Sequence, residues 1–303
     1  MSPRLAGLLW CATFVALDAV QAVLFGGLLQ KLDSFLIGFL VFGLSSIACL
    51  IVVAWRAPHE IGLALGEPRS LIWMSVYSAG GWLAYLGAVQ LIEPAVALTV
   101  ASGIVPLTMS AASRWRMDAA NVVRNRLEVA GTILIALGVA ALTAVTLLGW
   151  SGFVRGGTAI GGFGIALAAI SGTMFANMIL TSYHLAQRGV GPASLFALRF
   201  PLYLVLALGG YLLGLDDKGP APAANLIFAL LMGVPLLALP IYAIQKAISN
   251  SSSVTLGTAV ALTPVLVFFM QIIEGRVDYS RATMAGLALY TAGALLAAAG
   301  RAR

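Results

Sequence analysis

Long uninterrupted apolar runs constrain the fold of this chain more than any other feature of its sequence. Ten of them approach or exceed the roughly 20 residues that an α-helix needs to cross a bilayer. They cover residues 5–29, 35–55, 71–92, 95–115, 127–149, 160–184, 192–214, 224–248, 253–273 and 282–299. Because their apolar residues are continuous rather than alternating, the runs exclude a β-barrel. The sequence therefore predicts an all-α membrane protein with ten transmembrane helices and no soluble domain.

The composition excludes the soluble class of proteins. Hydrophobic residues make up 61% of the 303 residues and charged residues only 9%, whereas soluble domains are about 45–50% apolar and about 25% charged. A larger core does not explain this excess, because its surface would still have to be covered by polar groups. The partner that the composition requires is a lipid bilayer.

Lysine and arginine are distributed unevenly over the loops between the runs. With the N-terminus inside, the inner side holds eleven of them: Arg4, Arg56, Arg69, Arg114, Arg116, Arg124, Arg126, Arg188, Lys246, Arg301 and Arg303. The outer side holds five: Lys31, Arg155, Lys218, Arg276 and Arg281. A cytoplasmic excess of these residues sets orientation, so we expect a multi-pass protein of a bacterial-type inner (plasma) membrane with both termini cytoplasmic. No basic stripe with interleaved aromatic residues suggests nucleic acid as a partner.

Two halves of the chain repeat each other. Residues 89–107 and 247–266 both contain a helix end, a short turn and a new helix with an internal proline. The matched pairs are Pro106 with Pro264, Tyr85 with Tyr242, Gly131 with Gly286, Gly138 with Gly293 and Asp18 with Asn177. They predict five-helix repeats at 1–152 and 153–303, the second inverted, an arrangement typical of transporters with a midplane substrate site. Chance similarity between glycine-containing apolar stretches is the alternative.

Three segments resemble one known family. HLAQRGVGPASLFALRFPLYLVLAL (184–208), VPL (105–107) and the segment from TPVL to ALL (263–296) are similar to helices of the EamA-type transporters of the drug/metabolite transporter superfamily. The resemblance covers essentially the whole chain. It implies ten helices, with helices 1–4 and 6–9 around a central cavity and helices 5 and 10 at the periphery, and it implies transport by alternating access.

Asp18 is the one acidic residue near the middle of an apolar run. At helical spacing it shares a face with Phe14 and Gln21, while Asn177 in the second half shares a face with Thr173 and Thr181. An aspartate facing lipid costs about 2.5 kcal/mol or more, so we expect both stripes to face a cavity and bind substrate. A buried structural role for Asp18 is the alternative.

Aromatic residues suggest a second component of the same site. Ser78, Trp82 and Tyr85 lie on one side of the third predicted helix, and Tyr242 occupies the position in the eighth that matches Tyr85. Such a pocket can hold a cation over its rings. Interfacial anchoring is the alternative role for these side chains.

Arg199 lies about seven residues into the seventh run, and we interpret it as a gating or structural residue rather than a substrate contact. Pro106 and Pro264 interrupt helical hydrogen bonds and are interpreted as hinge points in the same group. The glycine pairs of the fifth and tenth runs predict close helix contacts, within one chain or in a homodimer.

No catalytic, metal or cofactor motif stands out, since only His59 and His184 are present and no HExxH pattern occurs. We therefore expect a secondary-active transporter, acting as an exporter of a small amino-acid-like or amine-like solute by alternating access, with protons as a candidate coupling ion. The alternatives are an organic-anion or sugar-phosphate exchanger, an intramembrane enzyme and a membrane assembly subunit.

Overall fold

The structure is a computed structural model that describes residues 3–116, 125–216, 218–219, 222–250, 253–275 and 277–301. These residues form α1 (Pro3–Lys31), α2 (Ser34–Arg56), α3 (Pro58–Leu65), α4 (Pro68–Leu91), α5 (Pro94–Arg116), α6 (Arg126–Leu147), α7 (Thr158–Gln187), α8 (Pro192–Leu198), α9 (Pro201–Leu212), α10 (Ala223–Asn250), α11 (Ser253–Ile273) and α12 (Arg281–Arg301). They contain no strand, only an isolated bridge between Ile92 and Val154. The predicted all-α class is confirmed for this part of the chain.

Six segments of the described helices are long and apolar enough to cross a membrane: Leu5–Leu29, Ser34–Arg56, Arg126–Leu147, Thr158–Gln187, Pro192–Leu212 and Arg281–Gly300. Shorter apolar stretches occupy Pro94–Met109, Ala223–Leu237 and Leu262–Ile273. Large apolar side chains such as Trp55 and Leu212 are exposed on the outside of the bundle, as expected for a surface covered by lipid. The chain is therefore a membrane protein built on apolar helices.

Each of the ten predicted segments overlaps a helix, but the seventh is divided. It forms α8 and α9, which are separated at Arg199 and Phe200. The break precedes Pro201, which begins α9 and has no backbone N–H to donate into the preceding turn. The Leu202 amide donates instead to the Ser75 hydroxyl at 3.1 Å. A second difference is α3, which starts at Pro58 in a stretch where the apolar pattern predicts no helix.

Helix packing places α6 along α12, α4 along α7, and α1 against both α10 and α11. α5 packs against α7 and α6, α11 against α12, and α2 against α8, α9 and α10. The glycines predicted to make close contacts lie between α6 and α12. A Cβ atom added to Gly138 would lie 2.7 Å from the Tyr290 amide nitrogen, and one added to Gly293 would lie 2.6 Å from that of Ile135. The structure thus places both glycine pairs inside one chain.

Glu93, in the turn between α4 and α5, links several connections by hydrogen bonds at one end of the bundle. Its carboxylate is fully buried and accepts hydrogen bonds from the Gly152 amide at 3.0 Å, the Thr283 hydroxyl at 2.9 Å and the Gln271 side-chain amide. The Asp278 amide donates to the Gly152 carbonyl at 3.1 Å. The connections after α4, α6 and α11 therefore meet at this end.

At the other end of the bundle, two glutamates link the connections between helices. Glu60 of α3 accepts hydrogen bonds from the Gly191 amide at 2.8 Å and the Ser194 hydroxyl at 2.5 Å. Glu67, just before α4, pairs with Arg188 at 2.9 Å. Glu67 and Glu93 flank opposite ends of α4, whose 24 residues span about 36 Å. The two sets of connections are thus separated by the thickness of a bilayer.

Candidate functional site

A cavity of about 330 Å³ lies between α1, α4, α5, α7 and the break before α9. This volume is within the range of small-molecule sites, which run from about 300 to 1,000 Å³. Its wall is formed by Phe14, Asp18, Gln21, Ala22, Phe25, Trp82, Tyr85, Leu98, Ala101, Ser102, Val105, Phe175, Met178, Ile179 and Arg199. We call it the Asp18 cavity, because that residue supplies its acidic group.

The α1 face of the cavity carries Asp18 between aromatic side chains. Phe14, Asp18, Gln21 and Phe25 follow one another at spacings of three and four residues, which places them on one side of a helix. The Asp18 carboxylate makes no hydrogen bond or ion pair with any residue that the structure describes. A carboxylate in this position is available to a solute, a proton or water.

Arg199 lies in the wall of the same cavity, where the sequence assigned it a gating or structural role. The break between α8 and α9 holds its guanidinium carbon 4.9 Å from the ring centroid of Phe196 and 4.7 Å from that of Phe200. Its Nη1 lies 3.8 Å from the Met178 sulfur, and its Nε is buried without a partner among the described residues. The cavity therefore presents both an anionic and a cationic group.

Aromatic rings form much of the remaining wall. The centroid of Trp82 lies 6.0 Å from that of Tyr85 and 5.4 Å from that of Phe175, both in edge-on geometry. Behind the wall, Phe42 contacts Trp82 with centroids 4.7 Å apart. These contacts fix the rings in position, so the cavity offers a preformed aromatic surface.

The polar stripe of α7 does not reach this cavity. Asn177 donates to the Thr173 carbonyl at 2.8 Å, Thr181 to the Asn177 carbonyl at 2.8 Å, and Thr173 to the Ala169 carbonyl at 3.0 Å. α7 instead presents Phe175, Met178 and Ile179 to the cavity. α1 therefore contributes polar and charged groups to the cavity, whereas α7 contributes apolar ones.

Two other predicted residues are absent from the cavity wall, and a third cannot be placed among the described side chains. Ser78 is fully buried and is absent from the cavity wall, and its hydroxyl has no partner among the described residues. Pro264 lies inside α11. The side chain of Tyr242 lies outside the part of the molecule that the structure describes. Neither Ser78 nor Pro264 contacts the space around Asp18.

Pro106 of α5 affects the cavity through the backbone. A proline has no N–H to donate to the carbonyl four residues earlier, and that carbonyl belongs to Ser102, which lines the cavity. Ser102 was missed in the sequence, although a serine in an apolar run four residues before a proline is the signal that finds it. Pro106 therefore leaves the carbonyl of a cavity-lining residue without its helical donor.

Comparison with known proteins identifies a fold. No family model and no curated protein matches the chain. A solved structure described as "Crystal structure of protein" matches with a TM-score of 0.62 and 21% sequence identity, over 97% of this chain and 96% of the other. At this identity the match shows a shared fold along nearly the whole chain.

Proposed function

We propose that the protein is a secondary-active transporter of the EamA type, exporting a small amine-like or amino-acid-like metabolite across a bacterial-type inner membrane. The observation that carries the proposal is the unpartnered Asp18 carboxylate in a cavity of about 330 Å³ with aromatic walls. A carboxylate and aromatic faces both attract an ammonium group. Alternating access would expose this cavity to each side of the membrane in turn.

The proposed architecture is ten crossings with both termini inside. Support comes from the two ends of the bundle. The connections predicted to be outside meet around Glu93, and those predicted to be inside meet around Glu60 and Glu67. The less apolar helices also pack along spanning ones, α4 along α7 and α10 along α1. These contacts favour ten crossings over the six that length and composition identify.

The inverted repeat, with halves 1–152 and 153–303, is supported by which helices touch. Exchanging the halves exchanges α1 with α7, α4 with α10, and α5 with α11. The packing of α1 on α10 and α11 then becomes the packing of α7 on α4 and α5. The α6–α12 contact maps onto itself, as expected for a pair related by a two-fold axis.

The paired charges of the cavity favour an amino-acid-like solute over a simple amine. Asp18 suits an ammonium group, and Arg199 suits a carboxylate. A proton that binds Asp18 removes its attraction for the ammonium group, so proton and solute compete for one carboxylate. This competition is a direct route to proton-coupled export.

An organic-anion or sugar-phosphate exchanger is the second candidate, because Arg199 alone would serve its substrate. Asp18 in the same cavity opposes an anion by charge repulsion. The two candidates therefore differ in the effect of removing the Asp18 charge. Its removal should lower the transport of a cation and improve the transport of an anion.

Flux into liposomes that contain the purified protein tests the proposal. The assay compares amines, amino acids and organic anions for the wild type, Asp18→Asn and the control Asp278→Asn, whose side chain lies in the outer connection before α12. Loss of amine or amino-acid flux in Asp18→Asn alone supports the proposal. Anion flux that survives in Asp18→Asn supports the exchanger. Turnover without flux indicates an enzyme, and neither activity indicates an assembly subunit.

A further inference from the structure

A second cavity, of about 500 Å³, lies between α2, α4, α7 and α9. None of its lining residues belongs to the Asp18 cavity. Its inner wall is apolar and includes Leu83, Leu86 and Leu167, whereas Gln90, Arg155 and Asp216 line its outer part. We call it the Arg155 cavity. Its polar end lies on the side of the bundle that holds the Glu93 turn, since Gln90 is three residues before Glu93.

The acidic group of the Arg155 cavity is already neutralised. The Asp216 carboxylate accepts hydrogen bonds from the Ser34 amide at 2.8 Å and the Ser34 hydroxyl at 2.6 Å, and it pairs with the Lys218 ammonium. Burial alone would raise the pKa of Asp216, but these hydrogen bonds and the Lys218 charge lower it. Lys218 also donates to the Gln90 side-chain oxygen Oε1 at 2.6 Å. Asp216 and Lys218 thus compensate each other.

Two donors that line the same cavity have no partner among the described residues. The Arg155 guanidinium makes no hydrogen bond or ion pair with the described residues, although its backbone amide is held by the Leu91 carbonyl at 2.9 Å. The Tyr203 side chain is fully buried, and its hydroxyl lacks a partner in the described part of the chain. With Asp216 and Lys218 compensated, the described residues of the cavity carry one net positive charge, that of Arg155.

The cavity is open to the outside surface of the bundle. Phe163 is 60% exposed and Leu215 is 66% exposed, and both line the cavity. Leu83 and Gln90 are seven residues apart on α4, so apolar space extends about 10 Å from the polar end toward the bilayer interior. The site is thus shaped for a molecule with a charged head at the membrane surface and an apolar tail below it.

We propose that the Arg155 cavity binds an amphiphile with one negative charge, whose carboxylate or phosphate head contacts Arg155 and whose apolar chain lies against Leu83, Leu86 and Leu167. A membrane phospholipid and a free fatty acid share this chemistry. The site is separate from the cavity proposed for the transported solute, and it stands whether or not Asp18 binds that solute.

Binding by the purified full-length protein in non-ionic detergent tests the proposal. The probes are dodecanoate, phosphatidylglycerol and the uncharged dodecanol, and the measurements are thermal stability and native mass spectrometry. Dodecanoate or phosphatidylglycerol should bind and raise the melting temperature. Arg155→Gln should weaken that binding roughly tenfold, the loss of a charge-assisted contact. Arg155→Lys should restore part of it, and Arg281→Gln, at another outer arginine, should leave it unchanged.

The arms of the experiment separate the sources of the ligand. A response to phosphatidylglycerol alone assigns the site to membrane lipid, and a response to dodecanoate alone assigns it to free acids. A Leu83→Phe variant, which shortens the apolar space, should weaken dodecanoate more than octanoate. Equal binding of dodecanol, or unchanged affinity in Arg155→Gln, overturns the proposal.

Discussion

Glu93 and Asp18 are carboxylates held in opposite ways. Glu93 accepts hydrogen bonds from Gly152, Thr283 and Gln271, which come from three separate parts of the chain. Asp18 faces a cavity and has no partner among the described residues. A carboxylate surrounded by donors stabilises a fold, whereas one without donors is costly unless a ligand or proton compensates it. This contrast distinguishes a structural acid from a binding one.

Asp18→Asn should fold as well as the wild type, because no described hydrogen bond is lost and a costly charge is removed. Transport of an amine or amino acid should fall by roughly tenfold or more, the loss of one charge-assisted contact. Its dependence on pH should weaken, because the competing proton site is gone. Initial rates in liposomes over a pH series measure both effects. Unchanged rates and an unchanged pH profile would make Asp18 a packing residue.

The raised pKa of Glu93 predicts that the stability of the folded protein depends on pH. Burial raises the pKa of Glu93, while hydrogen bonds from Gly152, Thr283 and Gln271 lower it less than burial raises it. The folded protein therefore keeps a proton at pH values where the unfolded chain has lost it. The contribution of this proton to the free energy of unfolding is fully present below the ordinary glutamate pKa near 4.5. It is lost as the pH rises through the pKa that Glu93 has in the folded protein.

The melting temperature of the wild type in detergent should therefore decline as the pH rises above this range, and Glu93→Gln should flatten that slope. Asp278→Asn, which changes a carboxyl group in the neighbouring connection, is the control and should follow the wild type. Parallel slopes for the wild type and Glu93→Gln would show that Glu93 does not titrate between the folded and unfolded states.

At the scale of elements, the α6–α12 pair depends on glycine. A leucine at Gly138 or Gly293 would place side-chain atoms on the backbone of the opposite helix. Overpacking of this kind costs about 1–3 kcal/mol. We expect a lower monodisperse yield and a lower melting temperature for each variant. Gly209→Leu in α9, where an added Cβ meets no atom within 4 Å, should leave both unchanged.

The substrate affinity of the folded fraction shows whether these glycines serve helix packing or substrate recognition. If α6 and α12 only hold the two halves together, the folded fraction of Gly138→Leu should bind substrate with wild-type affinity. A variant that folds normally and loses only substrate affinity would place the glycines in the binding site.

Sequence patterns located the helices well, because a bilayer demands long apolar runs and these are visible without a structure. The break at Pro201 was missed, since the apolar residues continue across it. The short α3 was missed because eight residues fall below the length that marks a crossing. Elements defined by length and hydropathy can thus be predicted, whereas local breaks depend on single residues.

The candidate site was predictable only in part. Spacing placed Phe14 and Gln21 beside Asp18, and all three line the cavity. The same reasoning failed to bring Asn177 there, because spacing shows which residues share a face but leaves the rotation of α7 open. Arg199 lies at the break between α8 and α9 and reaches the cavity from there. The apolar run did not reveal this break, so the sequence did not predict that Arg199 lines the cavity.

For the whole molecule, orientation is the testable property. In a variant without Cys11 and Cys49, we expect a cysteine at Tyr279 to react with an impermeant maleimide from outside. A cysteine at His59, in α3, should react only after the membrane is permeabilised, because its connection belongs to the end joined by Glu60 and Glu67. Asn121 lies outside the described residues and should behave like His59, since its loop is rich in arginine. Labelling of Tyr279 and His59 from one side would contradict the inverted repeat.

The hydrogen bonds to the buried Glu93 carboxylate can form only in a certain order during synthesis of the protein. The ribosome delivers Gln271 and Thr283 only 178 and 190 residues after Glu93. Until α11 and α12 have been made and packed, the carboxylate lacks both side-chain donors. A chain that lacks α11 and α12 therefore leaves the Gly152 amide as the one described donor to this carboxylate. The contact that closes this end of the bundle therefore forms only after α12 has been made.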